Sequence, residues 1–332
     1  MAFNTGRRHF ISALCGAAAA WPLATQAQQT DKAARVGYIG TSRDTPLGAA
    51  IYQAFIEGLR TYGFDLGQNL TIEFRPLEQD LHALSTDAVG LARLKVDVLV
   101  ADGTETALQA GIAASATLPI VMIATNFDPI ARGYVKSLAR PGGNITGLFL
   151  QQTELAEKQA ELLSQAFPDR RRLGVLWDEI SADQYGAAER RAKTLGLEVR
   201  SLKLENPPYD FDAAFRSLAD ASPEMLLVLS SPQFTPSRSK ITALAIQYHL
   251  PTMFIFKTYV QAGGLLSYGA DYGAMHRQAA TYVAKILAGA KPGEIPIEQP
   301  TKFELVANLK TASAIGVELP TTLLLRADEV IE

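Results

Sequence analysis

Residues Val96–Ala124 run VDVLVADGTETALQAGIAASATLPIVMIA. Val96 to Ala101 is a short apolar run rich in β-branched residues. Glu105 to Ser115 repeats its apolar residues at helical spacing, and Ile120 to Ala124 is a second β-branched run introduced by Pro119. A strand, a helix and a strand in such close succession form a βαβ unit, and its two strands lie parallel in one sheet.

The same rhythm continues on both sides. Towards the N-terminus, Val36 to Ile39 and Leu70 to Phe74 read as strands. Ala49 to Tyr62 and Leu84 to Leu94 read as helices, the first carrying Ile51, Phe55, Leu59 and Tyr62 at helical spacing, with Gly63 after it. Towards the C-terminus a second series follows. Helices are expected over Glu154 to Ala166, Gln184 to Leu195, Phe211 to Ala219 and Lys240 to Tyr248. Strands are expected over Leu173 to Trp177, Leu197 to Leu204, Met225 to Leu229 and Thr252 to Phe256. A last helix is read over Tyr272 to Leu287, then an extended segment from Lys302 to Asn308 and a short helix from Leu309 to Ile315.

Two βαβαβ series in one chain predict an α/β protein of two doubly wound parallel-sheet lobes joined by a hinge. The turn-rich run Arg140-Pro141-Gly142-Gly143-Asn144 stands between the series; a single large sheet is the alternative. The expected division is residues 34–148 plus about 270–298 in the first lobe, and 149–269 plus about 299–332 in the second. More than one crossing between lobes makes a hinge that closes on a ligand.

The N-terminus reads as an export signal. Arg7-Arg8-His9-Phe10-Ile11 leads into an apolar run that ends at Leu23, followed by Thr25-Gln26-Ala27. The paired arginines resemble a twin-arginine signal, with an ordinary secretory signal as the alternative. Either places the mature chain in the periplasm after cleavage near Ala27. Cys15 is the one cysteine of the chain and lies inside the signal, so the mature protein offers no disulfide, thiolate nucleophile or cysteine metal site. Cleavage removes Arg7 and Arg8 but no acid, taking the net charge from −3 to −5. That balance, without a basic run, argues against a nucleic-acid partner. No later stretch is long and apolar enough to insert stably in a membrane.

Ligands collect at the carboxyl ends of parallel strands, so the residues that follow each strand are the candidates for binding. They are Thr41 and Ser42, Gly103 and Thr104, Asp128, Trp177 and Asp178, Ser231 and Phe234, and Tyr268. Hydroxyls, glycines, single carboxylates and aromatics suit a polar, partly aromatic small molecule. A carboxylate is expected at the helix opening Gly103-Thr104-Glu105 or at Thr41 and Ser42. An ammonium group is expected at Asp128, and an apolar wall from Trp177, Phe234 or Tyr268. Together these describe an amino acid or similar zwitterion. Each residue also has a structural alternative: capping for Thr41, Ser42 and Thr104, turn formation for Asp128 before Pro129, core packing for Trp177 and Tyr268. His82, His249 and His276 lack ligand spacing and read as surface or structural residues. No catalytic elbow, phosphate loop, dinucleotide fingerprint or zinc motif is present, so no cofactor, metal or enzymatic activity is expected.

Several segments are similar to one family, the ABC transporter substrate-binding proteins whose better-understood members bind tryptophan and related aromatic amino acids. They are Arg140-Pro-Gly-Gly-Asn-Ile-Thr-Gly147, Ala262-Gly-Gly-Leu-Leu-Ser-Tyr-Gly269, Pro300-Thr-Lys-Phe-Glu-Leu-Val306, Asn308-Leu-Lys-Thr-Ala312, Arg326-Ala-Asp-Glu-Val-Ile-Glu332 and the leader around Trp21-Pro22. The resemblance implies a type I periplasmic binding protein fold, a small-molecule ligand and a membrane permease as partner. A ligand-sensing module reporting to a membrane receptor is the alternative. The chain departs from the family pattern at Asp102 and Glu105, where a small uncharged turn is common, and at Trp177-Asp178-Glu179-Ile180-Ser181, where an Asn-Pro-rich loop is common. Asp128-Pro129 is retained. The extra carboxylates point to a cationic or amine-bearing ligand.

The export reading has a direct test. Replacing Arg7 and Arg8 together by lysine should leave unprocessed precursor inside the cell, visible by immunoblot of cell fractions. Normal processing of that double variant would rule out the twin-arginine route.

Overall fold

β1 (Ala34–Gly40) opens the first sheet, and α1 (Pro46–Arg60) carries the chain over one face to β2 (Leu70–Pro76). The chain then crosses by α2 (Leu81–Arg93) to β3 (Val98–Gly103) and by α3 (Glu105–Ala114) to β4 (Ile120–Ala124). β5 (Ile145–Phe149) completes a sheet ordered β2-β1-β3-β4-β5, parallel throughout. The computed structural model describes residues 33–77, 81–220 and 222–332. The signal read over residues 1–27 therefore lies outside the described residues. β4 and β5 are buried at every position, as a parallel sheet covered on both faces requires. That is why Ile120–Ala124 shows no polar alternation. β5 was not expected from the sequence, because no helix precedes it: a non-helical stretch over residues 125–144 connects it to β4.

The second sheet begins after α4 (Gln152–Ala166). β6 (Arg172–Asp178), α5 (Ala182–Thr194), β7 (Glu198–Leu204), α6 (Phe211–Asp220), β8 (Met225–Val228), α7 (Arg238–Gln247), β9 (Thr252–Phe254), α8 (Lys257–Gln261) and β10 (Leu266–Ala270) follow in that order. α9 (Tyr272–Leu287) then leaves this sheet and packs against α1, β3, β4 and β5 of the first. The chain returns to the second sheet as β11 (Phe303–Asn308), α10 (Leu309–Ile315), α11 (Thr321–Leu324) and β12 (Glu329–Ile331). The spatial order is β12-β11-β10-β9-β8-β6-β7.

This second sheet is not wholly parallel, because β11 runs antiparallel to β10, pairing Phe303 with Ala270 and Ala307 with Leu266. The reason lies in the route. The chain left the sheet at the carboxyl end of β10 and returns beside that same end, where the backbone N–H of Asp271 bonds the carbonyl of Lys302. A strand entering there has to run the other way. Three segments thus pass between the two sheets: after β5, after β10 and before β11.

Side chains of α1 and α9 share one apolar interior with the first sheet. Phe55 and Leu59 of α1 and Ala279, Ala280 and Val283 of α9 are fully buried; burial of a Phe or Leu contributes about 1.5–3 kcal/mol. The axes approach so closely at Gly58 that a Cβ there would stand 2.7 Å from the Ala280 Cβ and 2.9 Å from the Arg277 carbonyl oxygen. Gly58→Leu therefore forces α9 outward and should cost about 1–3 kcal/mol. Urea unfolding reads this as a lowered midpoint, and an unchanged midpoint would show that the helices do not meet there.

Candidate functional site

In each sheet the strand order reverses once. In the first, the chain moves from β1 outward to β2 and then back past β1 to β3, so the switch point lies between Gly40 and Gly103. In the second it lies between β6 and β8, beside Asp178 and the residues after Val228. Crevices at such points, outside the carboxyl ends of strands, are where open α/β sheets hold ligands. Loops from these ends of the two sheets meet. Arg132, beyond β4, places a guanidinium nitrogen 3.9 Å from a carboxylate oxygen of Asp183, at the start of α5 beyond β6. Phe256, beyond β9, stacks at 4.4 Å on Tyr272, the first residue of α9.

At the first switch point stand Thr41, Ser42, Gly103 and Thr104, all half-buried. Gly103 has φ +102°, and its carbonyl accepts from the Thr125 hydroxyl at 2.6 Å. Thr104 caps α3 through its hydroxyl and also bonds Thr106 at 2.8 Å. Ser42 accepts from the Asp44 backbone at 3.3 Å. Glu105 is turned into its own lobe, where it accepts from the Tyr134 hydroxyl at 2.7 Å and faces Arg132 at 3.6 Å.

At the second switch point Asp178 and Ser231 come together. The Ser231 hydroxyl donates to Asp178 Oδ2 at 2.5 Å, and the Tyr209 hydroxyl donates to the same oxygen at 3.2 Å. Asp178 Oδ1 takes the backbone N–H and hydroxyl of Ser181, at 3.1 and 2.9 Å. Its acceptor capacity is thereby filled, and the side chain is fully buried. Burial, then the charge of Asp178, pushes the Tyr209 phenol up to about 12, so it remains a donor near neutral pH. A second buried network, missed from the sequence, lies next to it. Gln152 donates to the Ser230 hydroxyl at 3.1 Å, and Gln184 donates to Gln152 at 2.8 Å and to the Ser230 carbonyl at 3.0 Å. These glutamines sit in the first turns of α4 and α5, where nothing in the local sequence marks them.

The remaining candidates are engaged as follows. Phe234 is fully buried beneath the site, edge-on to Tyr209 and Phe211. Trp177 is stacked on Tyr185 at 4.3 Å, with the Lys203 ammonium 5.2 Å from its ring centroid and its indole N–H on Ser201. Tyr268 stacks on Phe303 at 5.9 Å. Asp128 is exposed and accepts from the backbone N–H groups of Ile130 and Ala131, at 2.8 and 3.1 Å, within its own turn.

Asp102, which the sequence presents as a carboxylate for ligand, points instead beneath the first sheet. Its Oδ2 accepts from the Tyr38 hydroxyl at 3.0 Å and lies 3.2 Å from His276 Nε2. The other ring nitrogen of His276 faces the Tyr272 carbonyl at 2.7 Å. A carbonyl only accepts, so Nδ1 carries hydrogen, and when the ring is protonated Nε2 donates to the Asp102 carboxylate. Burial pushes its pKa down, but the charge and hydrogen bond of Asp102, with the Tyr272 carbonyl, outweigh that and hold it above the ordinary histidine value. Among the described residues no group of three or more His, Cys, Asp or Glu side chains is placed to hold a metal, and no helix is long and apolar enough to cross a membrane.

This architecture is the type I periplasmic binding protein fold, a class built to hold a small molecule between two α/β lobes. Residues 44–331 match the model of the ABC transporter substrate binding protein family, and the chain belongs to that family, whose members are extracytoplasmic. It is similar to a tyrosine-binding protein of Clostridioides difficile strain R20291, 26% identical over 269 residues, covering 80% of this chain and 76% of that one. Among solved structures it resembles an ABC domain from Streptococcus pneumoniae in complex with L-Trp, at TM-score 0.79 and 25% identity, covering 90% of this chain and 99% of the other. A conserved domain protein of Vibrio cholerae superposes at TM-score 0.82 with 26% identity, covering 90% of this chain and all of that one.

The buried Asp102–His276 pair has a pH signature. A histidine whose folded pKa is raised contributes its full stability below the unfolded value of about 6.5 and loses it as pH rises through the folded value. Urea midpoints measured upward from about pH 6 should therefore fall in the natural protein, while His276→Gln should flatten that fall. An equally steep fall in His276→Gln would assign the dependence to other groups.

Proposed function

We propose that this chain is the solute-binding component of an ABC transporter, exported to the periplasm, and that it captures an aromatic amino acid or a similar zwitterion between its two lobes. The observation that carries this reading is the meeting of the two carboxyl edges through Arg132 and Asp183, with one switch point edged by Thr41, Ser42, Gly103 and Thr104 and the other by Ser231 over a saturated Asp178. The two similar proteins named for L-Trp and tyrosine support the ligand class. The lobes are residues 34–148 with about 270–298, and 149–269 with about 299–332. Their three connecting segments form the hinge. Phe234 backs the site from below, through Tyr209. The bound solute leaves unchanged and passes to a membrane permease; no turnover is involved.

Contacts from both lobes form fully only in the closed state, so ligand draws the lobes together. Calorimetry with L-tyrosine and L-tryptophan should give saturable binding of one ligand per chain, and small-angle scattering should give a smaller radius of gyration for the liganded protein. Binding with an unchanged radius would remove the second lobe from the site. No binding of either amino acid would refute the ligand class.

A further inference from the structure

The loop that leaves β1 holds a cation without an acidic partner among the described residues. Arg43 follows Ser42, is exposed, and places its guanidinium carbon 4.7 Å from the Tyr52 ring centroid and 4.5 Å from that of Phe74. These rings meet edge to face at 5.6 Å, and Phe74 is in turn stacked on the buried Tyr38 at 5.6 Å. The shelf is therefore anchored in the core. A hydrogen bond to Tyr52 and the aromatic faces orient the guanidinium plane, and its remaining N–H groups are left to donate.

Several other cations at the carboxyl edges and beyond are committed. Arg75 pairs with Asp87, Arg132 with Glu105 and Asp183, Lys203 with Glu179, and Lys257 with Glu329. No carboxylate lies within ion-pairing distance of Arg43 among the described residues. The start of α3, the other place at this edge suited to an anion, is taken by the Thr104 cap and by Glu105 itself.

We propose that Arg43 is the carboxylate anchor of the bound solute and the residue that makes the protein select acids over their neutral analogues. This rests on the amino-acid reading above. The planar fork of a preoriented guanidinium matches a carboxylate in a two-point hydrogen-bonded pair, which a lysine ammonium cannot reproduce.

The test compares L-tyrosine with L-tyrosinamide, by calorimetry on the mature natural chain and on Arg43→Gln and Arg43→Lys. The natural protein should prefer tyrosine by about a hundredfold, the loss typical when one partner of a close charge pair is removed. Arg43→Gln should bind tyrosine about a hundredfold more weakly and bind the two probes alike, and Arg43→Lys should keep an intermediate preference. Arg43→Gln with natural affinity for tyrosine, or with its preference intact, would overturn the anchor and leave the amino-acid reading standing. A natural protein that binds neither probe would overturn that reading and the anchor with it.

Discussion

The packing of α9 on α1, close enough at Gly58 to exclude a side chain, governs the rest of the molecule. The helix that covers this part of the first sheet is made only after most of the second sheet. Its first residue, Tyr272, follows β10 by a single residue, Asp271. The chain is thereby committed to leave the first lobe, build the second, come back, and leave again. Three crossings at one side of the molecule follow from that single contact, and so does the reversed strand β11. The contacts involved are far apart in sequence, so the first lobe cannot complete its core until most of the chain exists.

Buried charge in this protein serves as internal bracing. Asp102 on β3 and Asp178 on β6 each stand at the carboxyl end of a central strand beside a switch point. Each is partnered from within: Asp102 Oδ2 by Tyr38 and His276, and both oxygens of Asp178 by Ser181, Tyr209 and Ser231. A desolvated carboxylate left unpaired is strongly destabilising, so partners are a condition of its position. The departures from the family pattern at these residues therefore need not signal a cationic ligand. They leave the crevice edged by hydroxyls and backbone groups, with Arg43 in the loop after β1, held against Tyr52 and Phe74.

Most of the architecture is legible in short windows of sequence. Ile120–Ala124 has the bounds its β-branched run announces, and the helix over Tyr272–Leu287 ends where its apolar spacing ends. Ile145–Phe149 escapes notice because Pro141, Gly142 and Gly143 just before it carry the signature of a loop and no crossover helix introduces it. β12 is only three residues long, too short for a period. For the site, strand ends identify the positions but not their chemistry. Asp178 meets Tyr209 and Ser231 across 31 and 53 residues, and Asp102 meets His276 across 174. Whether a carboxylate is free or spent depends on such partners, and no local pattern records them. Asp128 shows the converse: the turn its Asp-Pro pair announces is the one it forms.

In the proposed function one small molecule is held by both carboxyl edges at once. Hydrogen–deuterium exchange, followed peptide by peptide with and without saturating L-tyrosine, tests it most directly. Exchange should slow in the loops after β1 and β3 and, in the same titration, in the loops after β6 and β8. Protection confined to one lobe, or lying away from these loops, would contradict it.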